Sequence, residues 1–194
     1  KEAELKFARP VSAIGTVTPI VVQVDDPAGV KSFSASVEQG GQSQVVYEDK
    51  TKSRQKSRVY SFTAGKQQAA FLKEGAAKIV IKASTNDFRG ATKTVSQDIQ
   101  VVLKPPTVVA DGRQHYINQG GAELVTLDLG GNWTEAGVRV ENYSAGSFPM
   151  PGEPDNSNHR FSLFPFPWNV AADTIPVAFV RNSTGTEVTT NFWV

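Results

Sequence analysis

The residues best placed to do chemistry are five basic side chains that alternate along one short segment. They are Lys50, Lys52, Arg54, Lys56 and Arg58. In an extended strand they would share one face at about 7 Å spacing, because successive side chains point to opposite faces. Such a positive stripe could bind an anionic polymer, for example a phosphate-bearing wall polymer or lipopolysaccharide. It could also be an exposed edge strand or loop whose charges block sheet-to-sheet association, which is the interpretation we favour. No aromatic residue interleaves with the basic ones, so we expect no nucleic-acid partner.

A group of aromatic residues indicates a different chemistry. Phe164, Phe166 and Trp168 alternate with two prolines. In extended form the three rings would share one face, and the prolines place that segment where no partner strand is needed. The rings could therefore form a surface that stacks on a glycan. They could also pack in a core or between domains, which we favour because Phe and Trp usually bury their large surface.

Catalytic and metal chemistry have few candidates. The chain has no cysteine, and its two histidines are His115 and His159. The lack of cysteine excludes disulfides, thiolate zinc sites and cysteine nucleophiles. Neither histidine has the partners or spacing of a triad or a metal site, so structural or surface roles are expected. The sequence predicts no catalytic residue, no metal ligand and no cofactor in this segment.

The elements that must position these residues are short strands. Period-2 segments rich in β-branched residues recur between turns that contain Gly, Asp and Asn. In the first half they are Thr18–Val24, Lys31–Val37, Gln44–Tyr47, Arg58–Thr63, Lys78–Ala83 and Thr92–Val102. In the second half they are Ala122–Leu129, Gly137–Asn142, Arg160–Phe164, Ile175–Val180 and Glu187–Val194. Apart from one short turn at Lys66–Leu72, no segment has helical periodicity. Between Phe148 and His159 the pattern fails, which predicts a long, exposed or mobile loop.

Two domains are expected from a change in composition at Pro105-Pro106. Residues 1–104 carry a net charge of +6 and residues 105–194 a net charge of −5, while all three tryptophans lie in the second part. The hairpin pattern of Ile79–Val101 is also repeated at Ile175–Val194. We therefore predict two tandem immunoglobulin-like antiparallel β-sandwiches, a basic one at 1–104 and an acidic, aromatic-rich one at 105–194, joined by a short, stiff linker.

The ends of the sequence and its hydropathy bear on location. The sequence begins without Met or a leader pattern and stops inside a hydrophobic pattern, which we interpret as a segment cut from a longer protein. Its hydrophobic fraction is 39%. No apolar run approaches the roughly 18 residues that a membrane span needs.

Several segments resemble known bacterial proteins. Gly65–Leu103, with the turn Asn86–Thr92, is similar to the last hairpin of bacterial immunoglobulin-like domains. Four further segments resemble the region before the catalytic domain in membrane-anchored peptidoglycan endopeptidases of the lysostaphin (LytM) type. They are Glu4–Pro10, Gly120–Val125, Ala136–Val140 and Phe164–Trp168.

The resemblance implies a non-catalytic role for this segment. A zinc peptidase of this type has a His-x-x-x-Asp pair and a His-x-His motif, but here Gln119 follows His115 by four residues and Leu163 follows His159 by four. The zinc domain would then lie beyond Val194, and the segment would space, dock or regulate it. This implies an extracytoplasmic location, an anchor preceding the segment, and the downstream peptidase domain and an envelope polymer such as peptidoglycan as partners. The alternative is an adhesion or glycan-binding module.

Overall fold

The computed structural model describes residues 3–111, 113 and 116–194. Throughout these residues the regular structure consists of strands, and no helix occurs. The predicted all-β class is therefore confirmed. None of the described segments forms a helix of the length and apolar character that crossing a membrane requires. The chain divides into two compact units, residues 1–103 and 104–194, called unit 1 and unit 2 below.

Unit 1 is a sandwich of two sheets. One sheet has the strand order β1-β3-β6 and the other β2-β8-β7-β4-β5. Neighbouring strands in the described part run antiparallel, except that the short β2 runs parallel to β8. The strands are β1 (Glu4–Phe7), β2 (Ala13–Ile14), β3 (Thr18–Asp25), β4 (Val30–Gln39), β5 (Gln42–Asp49), β6 (Ser57–Ala64), β7 (Gly75–Thr85) and β8 (Thr92–Val101).

The core of unit 1 follows from the alternation in its strands. Every second side chain of β3 is buried, namely Ile20, Val22 and Val24, and these belong to one cluster with inward residues of β4 and β7. Aromatic rings fill the space beside them, and the rings of Phe33 and Tyr60 stack with centroids 4.0 Å apart. Burial of these apolar side chains is the main term that holds the two sheets together.

Unit 2 has the same architecture. Its sheets have the orders β13-β14-β10-β9 and β12-β11-β15-β16, with antiparallel neighbours. The strands are β9 (Thr107–Ala110), β10 (Gly121–Gly130), β11 (Glu135–Val140), β12 (Tyr143–Gly146), β13 (Phe148–Pro149), β14 (His159–Phe166), β15 (Val177–Arg181) and β16 (Glu187–Asn191). Its separate core includes Val125, Leu127, Phe164, Val180 and Phe192.

The hairpins predicted at the end of each half are present. β7 pairs with β8 and β15 pairs with β16, each in antiparallel register. Residues 66–72 form two consecutive turns, in which the Ala69 amide donates to the Gly65 carbonyl at 3.0 Å and the Leu72 amide to the Ala69 carbonyl at 3.1 Å. Two sheets packed over an apolar core in each unit make the chain a tandem of immunoglobulin-like sandwiches, as predicted.

Candidate functional site

The basic segment is a loop, which is one of the two forms that the favoured interpretation allowed, so its side chains do not share the face of a strand. β5 ends at Asp49 and β6 begins at Ser57, and residues 50–56 cross from the five-stranded to the three-stranded sheet. A chain that changes sheets must leave the hydrogen-bond ladder of the first one. Lys50, Lys52, Arg54 and Lys56 are exposed on this crossing, called the basic loop below.

Arg58 does not share the surroundings of the other four basic residues. Its guanidinium donates to Asp49 Oδ2 at 3.1 Å and to the Thr51 carbonyl at 3.1 Å, and it lies 4.8 Å from the centre of the Tyr60 ring. Hydrogen bonds from Thr51, together with the charge of Arg58, lower the pKa of the Asp49 carboxyl. Arg58 therefore ties the end of β5 to β6, and a binding surface at the basic loop would consist of the remaining residues.

The three predicted aromatic residues do not form one exposed face. Phe164 and Phe166 lie in the core of unit 2, with 0% and 2% of their surface exposed, whereas Trp168 is 80% exposed. β14 ends at Phe166, so the alternation that points the two phenylalanines inward stops before Trp168. A glycan-binding surface made of all three rings is therefore wrong, and Trp168 is the member that a ligand could reach.

Trp168 stands on a turn that is fixed on both sides, called the Trp168 turn (residues 167–170) below. The Val170 amide donates to the Pro167 carbonyl at 3.2 Å, and the Gln119 side chain donates to the Val170 carbonyl at 2.6 Å. The Asn169 amide nitrogen donates to the Tyr143 hydroxyl at 3.0 Å. Val170 itself is buried in the core of unit 2. The turn thus carries an exposed indole and, at the next residue, an amide that is hydrogen-bonded to a hydroxyl.

The sequence interpretation missed Tyr143 and Asn169 as neighbours of Trp168. Tyr143 begins β12, which lies in the other sheet from β14. A signal for Asn169 was present, because Pro and Asn are both turn-forming residues and Pro167 and Asn169 flank Trp168. No local pattern could have brought Tyr143 to it.

The loop between β13 and β14 is exposed but is held by hydrogen bonds. The Met150 amide donates to the His159 carbonyl at 3.1 Å, and the buried Arg160 donates to the Asp155 carbonyl at 2.8 Å. Glu153 accepts a hydrogen bond from Ser157 and lies 3.2 Å from His159 Nδ1. The Ser157 bond is the main cause that lowers the pKa of the Glu153 carboxyl.

The histidines were predicted to have structural or surface roles. His159 lies between Glu153 and Asp128, whose Oδ1 atom is 3.8 Å from its Nε2 atom. His115 lies outside the described residues. In the part of the chain that the structure describes, no group of three or more His, Asp or Glu side chains is arranged to hold a metal ion.

Comparison with known proteins bears on the fold. No protein-family model and no curated protein matches the chain. Among solved structures, it is similar to the fibronectin(III)-like modules of Clostridium thermocellum CbhA, with a TM-score of 0.50 and 11% identity over 98% of this chain and 94% of that chain. It is also similar to a lytic polysaccharide monooxygenase from Kitasatospora papulosa, with a TM-score of 0.36 and 12% identity over 49% of this chain and 52% of that chain. The likeness to the CbhA modules shows that the chain has the fold of immunoglobulin-like and fibronectin-like β-sandwich modules.

Proposed function

We propose that this chain is a pair of non-catalytic modules that bind a glycan of the bacterial cell envelope, and that Trp168 makes the central contact. The observation that carries this proposal is the Trp168 turn, a hydrogen-bonded turn that carries a largely exposed indole. An exposed tryptophan leaves a large apolar surface in water, and covering it with a ligand is favourable.

A sugar suits the chemistry of this turn. The C–H bonds of a pyranose ring form an apolar face that can pack against an indole, while its hydroxyl groups need polar partners at the rim. The Tyr143 hydroxyl and the Asn169 amide are hydrogen-bonded to each other at this turn, and each keeps further capacity to donate or accept a hydrogen bond from a ligand. Because the backbone of the turn is hydrogen-bonded before binding, that backbone loses little conformational entropy on association.

The finer part of the proposal concerns the parent protein. We propose that the glycan is peptidoglycan or another envelope polymer, and that the modules position a zinc endopeptidase domain of the same chain outside the cytoplasm. This part is supported by the resemblance of segments such as Glu4–Pro10 and Phe164–Trp168 to LytM-type proteins. In the natural gene, a His-x-x-x-Asp and a His-x-His motif encoded after Val194 would support it, and a coding sequence without them would contradict it.

Glycan binding is tested by pelleting the chain with purified, insoluble peptidoglycan. We expect Trp168→Ala to weaken retention at least fivefold, because one stacking ring contributes on the order of 1 kcal/mol or more to binding. Trp193→Ala is the matched control, since Trp193 is 73% exposed and lies beyond β16. Equal retention of the wild-type and Trp168→Ala proteins would overturn the proposal.

A further inference from the structure

A second aromatic site lies at the opposite end of unit 2 from the Trp168 turn. Gly121 of β10 pairs with Phe166 of β14 at one end of the sheet, and Asp128 pairs with His159 at the other. At that other end, the β10–β11 connection and the β13–β14 loop form a shallow, open depression of about 430 Å³. Its lining residues are Gly131, Asn132, Trp133, Asp155, Asn156 and Asn158.

The indole of Trp133 is held in one orientation. Its Nε1 atom donates to Asn158 Oδ1 at 2.7 Å, and the Arg160 guanidinium lies 5.0 Å from the centre of its ring. Arg160 is only 8% exposed. The ring therefore has a cation against one side and a hydrogen bond at its edge before any ligand arrives.

Arg160 also fixes the loop that forms the other wall. Its Nε and Nη atoms donate to Ser147 Oγ at 2.9 Å, to the Ser147 carbonyl at 2.8 Å and to the Asp155 carbonyl at 2.8 Å. One buried side chain on β14 thus holds both the β13–β14 loop and the Trp133 ring in place. Charge-assisted hydrogen bonds of this kind are roughly twice as strong as neutral ones.

The rim of the depression carries polar groups that are free to bind a ligand. Asn132, Asp155 and Asn156 are exposed, and their side chains make no hydrogen bond to another residue in the described ranges. Side-chain amides both donate and accept hydrogen bonds, and a carboxylate accepts them, which matches the hydroxyl groups of a sugar. An aromatic floor with a few such polar groups is the usual composition of a small-molecule site.

The charges of the depression favour a neutral ligand. Asp155 is the one ionisable residue among those that line it, and the Arg160 cation is satisfied by carbonyl and hydroxyl oxygens behind the ring. An anionic polymer would face the Asp155 carboxylate without a free cation to bind it. We infer that the Trp133 depression is a second binding site of unit 2, specific for neutral pyranose oligosaccharides. The ligand class rests on the proposed function, but the site does not depend on Trp168.

Nuclear magnetic resonance of the whole chain separates the two sites, because each of the three tryptophans contributes its own indole N–H signal. The probes are hexa-N-acetylchitohexaose and cellohexaose, both neutral. We expect at least one probe to shift the Trp133 signal in the wild-type protein and also in Trp168→Ala.

The double variant Asn132→Ala/Asn156→Ala should weaken this binding at least tenfold while leaving the backbone spectrum elsewhere unchanged. Both asparagines are exposed, so the variant tests contact with the ligand with little effect on the core.

Asn191→Ala, an exposed amide at the end of β16, is the matched control and should bind as the wild type does. A Trp168 signal that shifts while the Trp133 signal does not would overturn the second site and leave the proposed function intact. A Trp133 shift that the double variant does not weaken would also overturn it, because the rim amides would then make no contact. Failure of peptidoglycan retention to depend on Trp168 would overturn the proposed function alone.

Discussion

At the scale of single residues, Gly29 determines where the basic loop lies. Its φ angle is +82°, and a Cβ atom placed on it would lie 2.1 Å from the Ser53 carbonyl oxygen. Ser53 in turn donates its amide to the Val30 carbonyl at 2.8 Å. The loop can pack this closely only against a residue that has no side chain and tolerates a left-handed backbone.

We expect Gly29→Ala to lower the free energy of unfolding of unit 1 by about 2 kcal/mol or more, because backbone strain and a steric clash add. Urea denaturation followed by circular dichroism measures the change. Gly90→Ala is the control, since Gly90 also has a positive φ of +61° but has open space where its Cβ would lie. It should cost only about 1 kcal/mol. Equal losses for the two variants would show that the Ser53 contact is unimportant.

The basic loop gives a second prediction at this scale. Lys52, Arg54 and Lys56 are exposed and form no ion pair with another described residue, whereas Lys50 lies 3.1 Å from Glu48. If the loop binds an anionic polymer, Lys52→Ser/Arg54→Ser/Lys56→Ser should elute from heparin at clearly lower salt, because fewer counterions are displaced. Lys31→Ser/Lys73→Ser/Lys82→Ser removes the same charge from other exposed positions and serves as the control. Identical elution of the two triple variants would show that retention on heparin depends on the net charge of the protein and not on the basic loop.

At the scale of elements, an ion-pair network covers the outer face of β15. The Arg139 guanidinium lies 2.5 Å from Glu187 Oε1, and Arg181 bonds to Glu187 Oε2 at 2.6 Å and to Glu135 Oε2 at 3.1 Å. Both guanidinium groups lie within 5.2 Å of the centre of the Phe179 ring, which is buried on that face. The network therefore joins β11, β15 and β16 and shields an aromatic ring that the core does not cover.

This network makes the stability of unit 2 depend on pH. Hydrogen bonds from Arg139 and then Arg181 lower the pKa of the Glu187 carboxyl. A lowered pKa in the folded state adds stability above the unfolded pKa of about 4.3, and that stability is lost as pH falls through the folded value. We expect Glu187→Gln to cost about 1 kcal/mol at pH 7 and to flatten the fall in stability below about pH 4.5.

Thermal unfolding between pH 3 and pH 7 tests this expectation. Asp173→Asn is a suitable control, because Asp173 is exposed and lies in the β14–β15 connection, away from the network. It should leave the melting temperature nearly unchanged. A Glu187→Gln protein that keeps the pH profile of the wild type would show that the pair is neutral in stability.

At the scale of the whole molecule, the two units have separate cores. All members of the buried cluster of unit 1 lie between Ile14 and Val101, and all members of that of unit 2 lie between Val108 and Phe192. A domain of about 100 residues can bury enough surface to fold alone without disulfides. The charges of the two parts also differ, since residues 1–104 carry a net charge of +6 and residues 105–194 a net charge of −5.

We therefore expect residues 104–194 and residues 1–103, produced separately, each to unfold cooperatively. Residues 104–194 should keep peptidoglycan retention, because the Trp168 turn and its partners lie within that unit. Calorimetry and the pelleting assay measure the two properties. Retention found only with residues 1–103 would move the binding surface to the other unit.

The sequence by itself determined the strands and the fold class. Alternation at Ile20, Val22 and Val24 defines a strand with one buried face, because each side chain of a strand points opposite to the next one. The same rule placed Phe164, Phe166 and Trp168 on one face, and the core packing that we favoured for them is found for the two phenylalanines. These signals are local, so they can be read without knowing what packs against them.

Only the tertiary structure decided which of these residues a ligand can reach. Basic residues alternate in the sequence from Lys50 to Arg58, but the chain changes sheets in that segment. Where β5 ends therefore depends on the position of the second sheet. Trp168 escapes burial because β14 ends two residues earlier, and Tyr143 reaches Asn169 from the opposite sheet. Exposure depends on which face a distant segment covers, and that information is spread over the whole chain.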